Sequence, residues 1–150
     1  MSAFADTSFL FAFHFRQRNS ERAVEWLAAQ TEPPLVSALV LFEFSQAVRF
    51  EVFLRTKDHT KGCSEIEGLG VLAQFESHLE QGTFIVLKPD VSAVLREASR
   101  LSEKHTIREG YRAFDILHVA AALSLGARDF LTFDAGQRSL AEAEGLHVPL

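Results

Sequence analysis

Four carboxylates lie at points where the sequence predicts that strands end or helices begin. They are Asp6, Glu43, Asp115 and Asp134. Asp6 and Asp134 each follow a short apolar segment, Asp115 opens a helix-like run, and Glu43 interrupts an apolar stretch. In an open α/β sheet, strand C-termini and helix N-termini meet along one edge, where ligands bind. Four like charges gathered at that edge would repel one another and shift each other's pKa, so the pattern predicts a site for a divalent cation.

Each acid also has an ordinary structural explanation. Asp115 falls in a first helical turn, where the helix dipole favours a carboxylate, so capping alone would explain it. Asp6 is followed by Thr7 and Ser8, which suit a helix cap or an Asx turn. Glu43 is a half-buried acid if its side of the helix packs inward, and a buried Glu is rare unless it is paired or metal-bound. Periodicity alone leaves the inward and outward orientations of Glu43 equally open.

The segment 112–134 gives the strongest reason to place two acids at one site. It is typical of a helix, a stop at Gly126, a short loop, a strand and then an acid. A parallel return of the chain would bring Asp134 to the same sheet edge as Asp115. Thr132 lies two residues before Asp134, so both side chains share a face if the strand continues that far. A hydroxyl there would hold a carboxylate or orient a metal-bound water.

Strand and helix patterns alternate along the chain without a repeat or a linker, so residues 1–150 are predicted to form a single domain. The predicted strands are 2–5, 35–36, 83–87, 130–133 and an edge strand at 146–148. The predicted helices are 20–30 with Ser20 as N-cap, 38–55 with Ser37 as N-cap, 64–81, 91–104 with Asp90 as N-cap, 115–125 and 137–144. Segment 9–15 fits either a strand or a short helix. This alternation predicts an α/β fold, a three-layer α/β/α sandwich with a mostly parallel central sheet.

Composition restricts the class of protein. The apolar content of 47% and the charged content of 23% are typical of a soluble globular domain. The longest uncharged apolar run, about 35–42, is too short to span a membrane, and the N-terminus does not resemble a secretion signal. A single cysteine, Cys63, excludes an internal disulfide and a zinc site built from several cysteines. We therefore expect a cytoplasmic protein.

The net charge of −5 argues against a protein whose whole surface attracts nucleic acid. Setting the four acids aside leaves the remainder close to neutral, so the acidic excess is concentrated at the predicted site. Basic residues occur in three groups: Arg16, Arg18 and Arg22; Arg49, Arg55, Lys57 and Lys61; and Arg108 and Arg112. Solvated helix faces explain most of them. Arg112, just before Asp115, would either hold a phosphate or balance that acid, and the sequence leaves both roles open.

These residues, in this order, resemble the PIN-domain family, and in particular the VapC-like toxins of toxin–antitoxin pairs. The matching segments are Ala5-Asp6-Thr7-Ser8, Val40-Leu41-Phe42-Glu43-Phe44, Phe114-Asp115-Ile116-Leu117-His118-Val119-Ala120-Ala121-Ala122, Phe130-Leu131-Thr132-Phe133-Asp134 with Gln137, and the closing Leu140-Ala141 and Gly145-Leu146. The resemblance covers nearly the whole chain. Its most specific part is the dense match from Asp115 to Asp134.

The resemblance implies a metal-dependent endoribonuclease that hydrolyses RNA phosphodiester bonds, with tRNA or rRNA as candidate substrates. The family's acidic quartet maps onto Asp6, Glu43, Asp115 and Asp134, and its Ser/Thr position onto Thr132. The expected cofactor is Mg²⁺ or Mn²⁺, which takes oxygen ligands. The resemblance also implies a homodimer and a cognate antitoxin whose C-terminal segment covers the acidic site. His118, one helical turn after Asp115, is interpreted as a packing or hydrogen-bonding residue near a dimer surface rather than as a ligand.

Three other functions fit the sequence less well than a nuclease. A PIN-like module that binds RNA or protein without cutting would not need all four acids. A phosphorylation receiver would need an acidic pair beside the first strand and a Lys at the end of a late strand, whereas Asp6 stands alone and the late strand ends in Asp134. A haloacid-dehalogenase-like phosphatase would need Asp-x-Asp after the first strand, and Thr7-Ser8 breaks that pattern.

Overall fold

Four short parallel strands form the centre of the structure, a computed structural model that describes residues 2–150. The strands are β1 (Ala3–Ala5), β2 (Leu35–Ser37), β3 (Ile85–Leu87) and β4 (Asp129–Leu131). Their order across the sheet is β3-β2-β1-β4, and each neighbouring pair is parallel. The chain therefore steps outward from β1 to β3 and then returns to the other side of β1. Parallel strands all end at one edge of the sheet, so loops distant in sequence meet there.

Helices connect every pair of strands. They are α1 (Thr7–His14), α2 (Ser20–Ala28), α3 (Ala38–Lys57), α4 (Glu65–Glu80), α5 (Val91–Leu101), α6 (Ile107–Glu109), α7 (Ala113–Ser124) and α8 (Ala135–Ala143), with a π-helical turn at Ser102–Thr106. Helix α1 packs on α2, α3 and α4, whereas α7 packs on α5 and α8. Right-handed crossovers place these two groups on opposite faces of the sheet. The predicted three-layer α/β/α sandwich is confirmed.

Segment 9–15 resolves as helix, because α1 runs through Phe9 to His14. Its alternating Phe residues suggested a strand, but both of its sides pack against protein, so no alternation of exposure is required. Phe9 and Leu10 are fully buried, while Phe11 and Phe13 pack at the margin of the core. Tertiary burial thus overrides the short-range pattern.

Local corrections concern where elements begin and end. The N-cap residue of α2 is Asn19 and not Ser20, which is the first residue of the helix. The Ser20 hydroxyl instead accepts a hydrogen bond from the Gln17 N–H and donates one to the Phe15 carbonyl. Ser37 and Asp90 cap α3 and α5 through their side chains, as predicted. The predicted edge strand at 146–148 is reduced to one bridge between His147 and Asp129.

The end of α5 is fastened to the end of α8 by one carboxylate. Glu144 accepts hydrogen bonds from Arg100 at 2.6 Å, Lys104 at 2.8 Å and His105 at 2.6 Å, and its side chain is only 7% exposed. Lys104 and His105 belong to the π-helical turn, whose extra residue shifts the direction in which these side chains point. Partial burial raises the pKa of Glu144, but the three donors outweigh it and lower the pKa to about 2.

The core explains most of the phenylalanines. Phe4 and Phe130 stack across β1 and β4 with ring centroids 5.8 Å apart, and Phe44, Phe75 and Phe84 are also buried. Three others on α3 remain exposed: Phe42, Phe50 and Phe53. Within residues 2–150, every helix is too short or too polar to cross a membrane.

Candidate active site

The register of β1 and β4 brings the first acid against Thr132. Ala5 pairs with Leu131, so the residues that follow, Asp6 and Thr132, leave the sheet side by side. The Thr132 hydroxyl donates to Asp6 Oδ2 at 2.5 Å and accepts from the Asp134 N–H at 3.0 Å. Strand β4 ends at Leu131, so Thr132 and Asp134 do not share a strand face. Thr132 is instead the link between Asp6 and the backbone of Asp134.

Asp6 is fully buried and is the N-cap of α1. Its Oδ1 accepts from the Phe9 N–H at 2.9 Å and from the Ser8 hydroxyl at 2.7 Å. Burial disfavours the charged form and raises the pKa of Asp6 to about 6, although the bonds from Thr132, Phe9 and Ser8 each lower it. Hydrogen-bond donors therefore fix the orientation of the Asp6 carboxylate, but they do not neutralise its negative charge.

Glu43 lies on α3 and faces inward, which settles the orientation that periodicity left open. Its Oε2 accepts hydrogen bonds from the Thr7 hydroxyl and from His118 Nε2. Partial burial raises the pKa of Glu43, yet these two bonds outweigh it and hold the pKa below its usual value. Since Thr7 directly follows Asp6, Glu43 is brought beside the β1 terminus.

Asp115 occupies the first turn of α7, as predicted, with its side chain 15% exposed. Arg112 Nε lies 3.3 Å from Asp115 Oδ2, and the Arg112 charge also lowers the pKa of Glu43. The Arg112 side chain is 82% exposed, so this ion pair is weak and easily exchanged. In this structure Arg112 therefore balances the acids, and it is free to move toward another anion.

Asp134 serves as the N-cap of α8. Its Oδ1 accepts from the Gln137 N–H at 2.8 Å. Gly136 lies close beside it, because a Cβ added there would come within 3.2 Å of Asp134 Oδ1. The acid is half-buried and lies on the same edge as Asp6, to which Thr132 joins it. Asp6, Thr132 and Asp134 thus meet at the carboxyl edge of the sheet, and Glu43 reaches it through Thr7. Asp115 is linked to them less directly, because it lies on α7 three residues before His118, which bonds to Glu43.

Oxygen donors of this kind suit Mg²⁺ or Mn²⁺. Within residues 2–150, no three His, Cys, Asp or Glu side chains lie close enough together to hold one ion between them. Mg²⁺ does not require such a cage, because it keeps several waters and binds through one or two carboxylates. Asp6 is buried and short of positive charge, as expected where a cation completes the environment. The residue set therefore fits a hydrated divalent cation.

The structure adds three residues to the predicted site set: Thr7, Ser8 and His118. Thr7 and Ser8 were expected to cap a helix or form a turn, but their hydroxyls hold Glu43 and Asp6. His118 is fully buried and bonds to Glu43. Its spacing of three residues from Asp115 places both on neighbouring positions of one helix, and the hydrogen-bonding role predicted for it is found, with Glu43 as the partner. Nothing local in the sequence pairs Thr7 with Glu43.

A family model described as the PIN domain matches residues 3–143 of this chain. The chain belongs to the PIN-domain family. PIN domains are nucleases that generally use divalent metals, and they include the VapC toxins. No protein of curated function matches the sequence.

Several solved structures share the fold of this chain. VapC20 of Mycobacterium tuberculosis, described as a toxin that cleaves the sarcin–ricin loop, has 19% identity and a TM-score of 0.65 over 91% of this chain and 93% of its own. FitAcB of Neisseria gonorrhoeae has 20% identity and a TM-score of 0.65 over 99% and 96%. VapBC2 of Rickettsia felis, bound to a promoter DNA fragment, has 14% identity and a TM-score of 0.67 over 99% and 97%. At these identities the likeness establishes the fold alone.

Proposed function

We propose that this PIN domain is a metal-dependent endoribonuclease and the toxin of a toxin–antitoxin pair. The observation that carries the proposal is a network of hydrogen bonds at the carboxyl edge of the sheet. Thr132 links Asp6 to the backbone of Asp134, and Thr7, the neighbour of Asp6, bonds to Glu43. Asp115 lies on the same helix as His118, the second partner of Glu43. Structural capping alone does not require a fully buried Asp6 to be linked in this way to partly buried acids on other elements.

In this proposal the four acids line the site of a hydrated Mg²⁺ or Mn²⁺, which they would hold partly through its water molecules. The bound cation would activate water and neutralise charge on the phosphate and the leaving oxygen. Thr132 and Ser8 fix the Asp6 carboxylate, while Thr7 and His118 fix Glu43, so the oxygens need little reorganisation when the ion binds. Asp115 and Asp134 carry the remaining charge at the mouth of the site.

Basic side chains lie beside two of these acids and would contact the RNA backbone. Arg112 contacts Asp115, and its weak pairing leaves it able to turn to a phosphate. The Arg22 guanidinium lies 5.4 Å from the centre of the Phe133 ring, one residue before Asp134. RNA binding would therefore depend on local cations rather than on the overall charge, which is acidic.

Cleavage of a mixed tRNA and rRNA pool is the direct test. We expect cutting with Mg²⁺ or Mn²⁺, none with EDTA, and a loss of at least about 100-fold in Asp6→Asn, as for removal of a group that holds the cation. Asp58→Asn is the matched control, because Asp58 follows the far end of the 20-residue helix α3 and bonds only to its own loop. Full activity in Asp6→Asn would overturn the assignment of the site.

One observation favours a second candidate, a PIN-like module that binds RNA or protein without cutting. Within the described residues, no three potential ligands are gathered tightly enough to hold an ion among them. Binding of RNA by well-folded protein, with no cutting under either metal on any RNA in the pool, would support this module over the nuclease.

The proposed partners are a cognate antitoxin and a second copy of this chain. The antitoxin is suggested by the solved neighbours, since VapBC2 and the FitAB complex combine two proteins, each with DNA. The second copy is suggested only by the family resemblance. The antitoxin would cover the acidic edge through its C-terminal segment. Light scattering of the purified protein should give twice the mass of the 16.7 kDa chain, and the monomer mass would exclude a stable homodimer.

A further inference from the structure

Both hydrogen bonds to Glu43 fall on the same oxygen. The Thr7 hydroxyl and His118 Nε2 each contact Oε2, and no group within residues 2–150 bonds to Oε1. A carboxylate held at one oxygen cannot rotate freely, so the direction of the other oxygen is also fixed. Oε1 is then the Glu43 atom left to meet a cation.

The ring of His118 makes no hydrogen bond other than the one to Glu43 within the described residues. An ionised carboxylate only accepts hydrogen bonds, so Nε2 carries the hydrogen and donates to Glu43. Nδ1 is buried and has no hydrogen-bond partner within the described residues. Because the ring is fully buried and Nε2 already contacts Glu43, neither nitrogen is available to bind an ion. Among the four acids, His118 therefore hydrogen-bonds only to Glu43.

The pair also joins two elements that pack from different sides of the sheet. Glu43 belongs to α3 and His118 to α7, and these helices touch near the carboxyl edge. Asp115 lies three residues before His118 on α7. Fixing the His118–Glu43 contact therefore also fixes the position of Glu43 relative to Asp115.

We propose that His118 is a positioning residue that turns Glu43 Oε1 toward the bound divalent cation. The inference rests on the proposed function, because it concerns the cation of that site. Partners that orient a metal-binding carboxylate typically change metal affinity by about 10- to 100-fold when they are removed. His118 should thus control how tightly the ion binds, without touching it.

Mn²⁺ binding to the RNA-free protein, followed by calorimetry or electron paramagnetic resonance, tests the proposal without measuring activity. We expect His118→Leu to weaken Mn²⁺ binding by about 10- to 100-fold. His118→Gln should stay within a few-fold of wild type, because its amide N–H reaches about as far as Nε2. His118→Asn keeps the amide but is one carbon shorter, so it should weaken binding as Leu does.

A double-mutant cycle separates positioning from a merely structural role. In the Glu43→Gln background, adding His118→Leu should cause no further loss of Mn²⁺ affinity. A further tenfold loss in the double variant, or wild-type affinity in His118→Leu, would overturn the inference. If His118→Leu does not fold, the Gln and Asn pair decides, and equal affinities in these two would reject positioning. Failure of the wild-type protein to bind Mn²⁺ would instead reject the proposed function.

Discussion

Asp6 shows how a single residue can be costly to the fold and still be retained. Its carboxylate is fully buried among three hydrogen-bond donors, and burial raises its pKa to about 6. The donors compensate only part of the lost hydration, because hydrogen bonds supply less than a full positive charge would. A buried acid that destabilises the metal-free fold at neutral pH is expected at a functional site, where a bound cation would remove the cost of burying the charge.

The sign of this effect gives a prediction for the metal-free protein. The folded pKa of Asp6 lies above the unfolded value, so its contribution to stability is full below about pH 4 and is lost as pH rises through 6. Asp6→Asn should therefore raise the free energy of unfolding at pH 7, by up to about 3 kcal/mol. Denaturant titration in EDTA at pH 4 and pH 7 measures it, with Asp58→Asn as the control. An unchanged or lower stability at pH 7 would contradict the burial argument.

At the scale of elements, α1 and α4 are joined by two histidines inside an aromatic cluster. His14 Nδ1 lies 2.8 Å from the Leu10 carbonyl, so it carries a hydrogen and donates. His14 Nε2 is then free to accept from His78 Nδ1, 2.9 Å away on α4. The rings of Phe44, Phe75 and other aromatic residues surround His14. Burial lowers the pKa of His14 to about 4, and His78 is shifted in the same direction.

This pair predicts a loss of stability in mild acid. The folded pKa of His14 lies below the unfolded value, so its contribution is present above pH 6.5 and is lost as pH falls toward 4. The loss should reach about 3 kcal/mol between pH 7 and pH 4. His14→Phe suits the aromatic surroundings and should flatten this dependence, as measured by the unfolding free energy across that range. An equally steep dependence in His14→Phe would show that other groups cause it.

At the scale of the whole molecule, charge is separated rather than evenly mixed. The chain carries −5 overall, and Asp6, Glu43 and Asp134 lie at one edge of the sheet, with Asp115 at the start of α7. A phosphate approaching that edge without a cation meets repulsion that Arg112 offsets only in part, because it is shared with Asp115. Under the proposed function, the cation would strengthen RNA binding as well as being required for cleavage.

The charge distribution can be tested without any cleavage. In EDTA, Asp115→Asn should bind labelled RNA roughly two- to fivefold more tightly than wild type, because one repulsive charge is removed and Arg112 is released. Asp58→Asn removes the same charge far from the site and should change the affinity less. Fluorescence anisotropy at low salt would measure both. Equal gains in the two variants would indicate that only net charge matters.

The sequence by itself determined the fold class and where most of the candidate acids lie relative to the strands and helices. Alternating strand and helix patterns required parallel strands with helices on both faces, and Asp6, Thr132 and Asp134 follow directly from where β1 and β4 end. Asp115 follows from the start of α7. These are local properties, since caps, turns and hydrophobic periods depend on neighbours within a few residues.

Only the tertiary structure decided how the acids are held. The inward direction of Glu43, its contact with Thr7 and its pairing with the buried His118 join residues separated by 36 and 75 positions. The helical conformation of α1 was also decided by tertiary packing, because its alternating Phe residues fit a helix only when both of its sides pack against the protein. Such contacts depend on which helix faces meet across the sheet. That choice is made by packing of the whole chain, so no short segment of the sequence contains it.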